Sequence, residues 1–130
     1  MTETESHPLT PQDCLVLLMF SVSVSDTNIR TSELIKIENQ VNTLPIFGTF
    51  DIDRITVLSN MVFDLFSEED GLDALFGLVH DNLPEKLNET AYALCCDVAA
   101  ADGILREGEI RLLEEIRDLL AAQSGQQPRV

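Results

Sequence analysis

Two pairs of acids stand at one spacing in this chain, Asp26 with Glu33 and Asp102 with Glu109. In each pair the aspartate falls where one helical pattern ends, and the glutamate opens the next. Oxygen-only side chains on a short link, joined by backbone carbonyls, suit a hard divalent cation such as Ca²⁺ or Mg²⁺. The two acids are not equivalent. A glutamate in a first helical turn is favoured by the helix dipole, by ~0.3–1 kcal/mol, so Glu33 and Glu109 have a structural explanation. An aspartate at a helix C-terminus faces the negative end of that dipole, so Asp26 and Asp102 need a compensating cation or a set of donors. The donors can be N–H groups of a tight link, or Arg30 and Arg106. The cation can be a metal, with Asp97 and Glu107 adding oxygens to the second link, where the first has Ser21 and Thr31. An EF-hand is excluded: counted from Asp102, its third and fifth positions are Ile104 and Arg106, which offer no side-chain oxygen.

The acids belong to a repeat. Leu15–Leu44 aligns with Ala91–Leu120 at a lag of 76 residues, with seven identities: Leu18/Leu94, Val22/Val98, Asp26/Asp102, Arg30/Arg106, Glu33/Glu109, Glu38/Glu114 and Leu44/Leu120. Four of the seven are charged, which a shared helical period alone does not require.

Other chemistry is thinly represented. His7 and His80 are the two histidines, the first in the polar start and the second near a helix C-terminus, and neither has nucleophile-and-base context. Cys95 and Cys96 point ~100° apart on a helix and read as packing, as does Cys14. There is no Gly-rich phosphate loop, no HExxH, no CxxC and no GxSxG, so no enzyme is expected. The net charge of −15 disfavours nucleic acid and anionic membrane surfaces, and favours cations and basic surfaces. No apolar run reaches the ~20 residues of a membrane span, and the start MTETESHPL lacks the features of a signal peptide. A cytoplasmic chain without direct membrane insertion is expected.

The elements that must position the acids are helical. Thr10-Pro11 reads as an N-cap and first helical residue ahead of the apolar run Cys14–Val24, a mostly buried helix. Leu34, Ile37, Val41 and Leu44 recur at helical spacing over Thr31–Thr43, and Pro45 stops the element. Asp51 is expected to cap a third helix with Ile52, Ile55, Leu58, Val62 and Phe66 inward, followed by a short helix over Leu72–Val79. Ala91, Leu94, Val98 and Ala101 mark the next, which ends at Asp102-Gly103 with the glycine suited to a left-handed cap. Glu107–Ala121 follows, with Ile110, Leu113, Ile116 and Leu120 on one stripe. The first repeat unit leads straight into a further helix, and the second leads into the polar AAQSGQQPRV. The stripe through Ile116 and Leu120 is therefore expected to need cover from other elements or a partner chain. The expectation is one all-α domain over 10–121, with repeat units 11–45 and 87–121 and disordered ends at 1–9 and 122–130.

The second copy, ALCCDVAAADGILREGEIRLLEEIRDLL, resembles the TerB tellurite-resistance family and the wider TerB-like group. Its motif is a helix ending in small residues and Asp-Gly, then a glutamate opening the next helix, here Ala99–Gly103 and Glu109. SVSVSDTNIRTSELIKIE looks like the degenerate partner copy, with Thr27 in place of the glycine. The resemblance implies a compact TerB-like bundle of about six to seven helices with an internal pseudo-two-fold repeat. It implies a bacterial protein of the tellurite or metal stress response, with a divalent-metal site at Asp102 and Glu109 and a related pair at Asp26 and Glu33. It further implies a scaffold role beside an integral membrane partner, peripheral to the inner membrane.

Three functions compete at this point. The first is a non-enzymatic, cation-binding stress-response domain. The second is an acidic protein-interaction module without metal, docked to a basic partner or associating, with its own copies included, through an apolar patch. The third, least favoured, is a small redox or thiol-dependent enzyme using Cys95 and Cys96.

Overall fold

The computed structural model describes residues 9–25 and 31–123. Six α-helices follow one another: α1 (Pro11–Val24), α2 (Thr31–Thr43), α3 (Arg54–Phe66), α4 (Gly71–Asn82), α5 (Asn88–Ala99) and α6 (Glu107–Gln123). Short 3-10 turns at Pro45–Phe47 and Glu85–Leu87 lead into α3 and α5. The chain is all-α, with no strand among the described residues.

The start of α1 is fixed locally. The Thr10 hydroxyl accepts the Asp13 N–H and the Asp13 carboxylate accepts the Thr10 N–H, both at 3.0 Å, with Pro11 at the first turn. Every residue from Asp13 to Ser23 is then buried. So long a buried run needs walls on all sides, and α1 packs against α5, α3, α2, α4 and α6 in turn. Its serines are tolerated because they bond at once to nearby groups. Ser21 Oγ donates to the Leu18 carbonyl at 2.6 Å and Ser25 Oγ to that of Val22 at 2.7 Å.

The outer helices bury one stripe each. In α2 the stripe is Glu33, Ile37, Gln40 and Val41. In α6 it is Glu109, Leu112, Leu113, Ile116 and Leu120. Ile110, expected inward, is 42 % exposed because the stripe begins one residue earlier, at Glu109. Ile52 is likewise out, since α3 starts only at Arg54. Asp51 does not cap that helix. Its carboxylate accepts the Asp53 N–H at 3.0 Å, in a turn that precedes α3. The stripe through Ile116 and Leu120 is covered, and the open ground lies on α5, where Glu89 and Ala93 face outward. No described helix is long and apolar enough to cross a membrane.

Candidate functional site

The α5–α6 link is built from short-range bonds. The last turn of α5 closes with the Ala100 N–H on the Cys96 carbonyl at 3.0 Å, and the Gly103 N–H follows on that of Ala100 at 2.9 Å. Gly103 takes φ 81°, the left-handed conformation expected of it. Asp102 then turns back on the link. One carboxylate oxygen accepts the Ile104 N–H at 3.0 Å, and the other meets the Arg106 guanidinium at 3.0 Å. Arg106 also donates to the Ile104 carbonyl at 3.3 Å.

Arg106 stands at the N-cap of α6, and Glu109 is the third helical residue. Glu109 Oε1 accepts the Arg106 N–H at 3.3 Å, the reach-back half of a capping box. Capping glutamates ordinarily sit in solvent, yet Glu109 is wholly buried. Its Oε2 has no hydrogen-bond partner among the described residues. Glu33 occupies the same step of α2, is also wholly buried, and accepts the Ser23 hydroxyl at 3.2 Å. Counted along the repeat, Ser23 corresponds to Ala99, which has no hydroxyl to offer Glu109.

Of the four residues proposed as metal ligands, Asp102 and Glu109 thus flank one link and both bond to Arg106. Glu33 stands beneath the start of α2, and Asp26 lies outside the described residues, as do Thr27 and Arg30. The two further candidate oxygens are turned elsewhere. Asp97 accepts the Gln40 side-chain amide at 3.1 Å across α2 and α5, and Glu107 pairs with Arg111 at 3.0 Å in solvent. No group of three or more His, Cys, Asp or Glu side chains among the described residues is placed to hold a metal ion. The link also exposes Ile104 and Leu105, at 55 and 50 %, and the first turn of α6 exposes Ile110, at 42 %.

Two of the thiols, Cys14 and Cys95, are held neutral. Burial, aided by the charge of Asp13, pushes Cys14 up to about 12, and burial drives wholly covered Cys95 well upward too. A neutral, enclosed thiol is a poor nucleophile.

A strong polar contact escaped the sequence reading. Arg54 grips buried Asp13 with two hydrogen bonds of 2.9 Å, tying the start of α3 to that of α1. Thr10 three residues before Asp13 signals the capping role of the acid, but nothing local points to an arginine 41 residues on. Compared with protein-family models, with curated proteins and with solved structures, the chain matches none of them.

Proposed function

We propose that this chain is a non-enzymatic, TerB-like helical module that works by docking another protein. The observation that supports it most directly is the α5–α6 link. The Asp102 carboxylate is engaged by Arg106 and a backbone N–H, while Ile104 and Leu105 project beside it on a strongly acidic chain. Exposed apolar side chains framed by charge suit a protein surface, and the net charge of −15 favours a basic one. In the stress-response setting that a TerB-like motif suggests, the partner belongs to an assembly at the inner membrane.

The test is affinity capture from bacterial extract, at low and at roughly 0.3 M salt, with and without chelator. The expected result is a discrete partner, released by salt and by the double substitution Ile104→Asp/Leu105→Asp, and indifferent to chelator. Absence of any such partner overturns the reading.

A second reading rests on Glu109 Oε2, a buried carboxylate oxygen without a hydrogen-bond partner among the described residues. The donor set of the link is all oxygen, which suits Ca²⁺ or Mg²⁺, with Asp102 and Glu109 as ligands and Asp26 and Glu33 as the related pair. Asp102 would have to exchange Arg106 for the cation. Calorimetric titration of the chelator-treated protein decides: heat that Asp102→Asn removes supports the cation, and no heat at millimolar concentration overturns it.

A further inference from the structure

Five helices stand around α1. α2 packs on α5, α5 on α6, α6 on α4 and α4 on α3, and each of them also touches α1. Among the described residues no comparable packing joins α3 back to α2, so the wall round the central helix has a seam there. The seam is a groove of about 390 Å³ with Phe20 of α1 at its floor. Leu34 and Glu38 face it from α2, and Ile55, Ser59 and Phe63 from α3. Phe63 is 46 % exposed, a large aromatic ring left in water beside the partly buried Leu34 and Ile55. A groove floored and walled by helices and lined by apolar side chains suits another helix, whose residues at i, i+3, i+4 and i+7 fill it.

Charge selects the kind of helix. Glu38 is the charged residue among those described in the lining, and its carboxylate has no hydrogen bond or ion pair with any described residue. α2 and α3 hold one base each, and neither serves it. Lys36 shares a flank of α2 with Gln40, one turn on, whose amide reaches Asp97 of α5, away from α3. Arg54 is committed to Asp13. A basic partner therefore gains the Glu38 carboxylate and the attraction of a chain of net charge −15, whereas a second copy brings like charge. We propose that the α2–α3 groove is the docking site for an amphipathic helix of a partner protein, with apolar residues against Phe20 and Phe63 and a lysine or arginine on Glu38.

The inference rests on the docking reading above and gives it a second surface, which does not include Ile104 and Leu105. The probe is a fluorescein-labelled synthetic helix of about 18 residues, leucines on one face and lysines on the other, titrated with the full chain and followed by anisotropy. Saturable binding is expected, weakened roughly tenfold or more by Phe63→Asp. That substitution adds negative charge, so attraction by net charge alone would strengthen binding instead. Glu38→Gln should weaken it roughly threefold, while Glu114→Gln, which removes the same charge at the counterpart position of the repeat, should leave it unchanged. All three side chains are exposed, so circular dichroism should show each variant folded as the parent. The proposal is overturned by no saturable binding, by binding that ignores Phe63→Asp, or by equal effects of Glu38→Gln and Glu114→Gln. Equal binding of the same helix with glutamates in place of the lysines also overturns it. So does self-association that Phe63→Asp abolishes in sedimentation, in favour of a second copy. If the synthetic helix fails to bind while salt-sensitive capture through Ile104 and Leu105 persists, the groove is wrong and the docking module stands.

Discussion

Arg54 and Asp13 form a two-pronged ion pair whose members live in different surroundings. The carboxylate is 1 % exposed and the guanidinium 38 %. Removing them one at a time should therefore be unequal. Arg54→Ala leaves a buried carboxylate with only the Thr10 N–H, and a loss of about 3–5 kcal/mol is expected. Asp13→Asn keeps the cap acceptor and releases an arginine already near water, so about 1–2 kcal/mol is expected. Chemical denaturation of both variants checks the order, and equal losses would contradict the assigned burial.

Glu109 allows the cation to be tested through stability. Glu109→Gln preserves the acceptor for the Arg106 N–H and removes a buried charge, so in chelator the variant should match or exceed the parent. Glu109→Ala should lose roughly 1–3 kcal/mol, because the N-cap donor is orphaned. Under the cation reading, calcium raises the melting temperature of the parent and leaves that of Glu109→Gln unmoved. Thermal melts with and without calcium read out both results.

Two glycines should fail for different reasons. At Gly103 a Cβ meets nothing within 4 Å, but φ is 81°, so Gly103→Ala should cost about 1 kcal/mol in conformational strain alone. At Gly71 a Cβ would fall 1.6 Å from the Leu65 carbonyl oxygen, which forces the α3–α4 corner apart. Gly71→Ala should cost several-fold more, and urea midpoints of the two variants give the comparison.

The buried thiols make an alkaline prediction. Cys14 rises from 9.0 to about 12 in the folded chain, chiefly through burial, and Cys95 shifts the same way. The unfolded chain ionises these groups first. Their contribution is whole below pH ~9 and drains away as pH climbs toward ~12, at up to about 1.4 kcal/mol per unit for each thiol. Cys14→Ala/Cys95→Ala should flatten that slope. Ellman's reagent, applied to the native protein, should find half-buried Cys96 alone.

The helices were legible in the sequence because their signals are local. Thr10-Pro11, the period of Ile37, Val41 and Leu44, and the Asp102-Gly103 stop each act within a turn of the chain. The inward glutamates were not legible. Glutamate is seldom buried, so the sequence places the stripe of α6 from Ile110, and it accounts for Glu109 by the helix dipole or a cation without placing it in the core. Asp102 and Arg106 were named among two competing explanations of the link, and composition has no means of choosing between them. The Asp13–Arg54 pair and the Gln40–Asp97 bond join residues that only the packed bundle brings together.

The enclosure of α1 bears on how the chain is made. A ribosome delivers this helix well ahead of the one it packs against most extensively, α5, which ends only at Ala99. Until then the stretch Cys14–Val22 lacks the largest of its walls, and in a living cell it is a natural landing place for a folding helper.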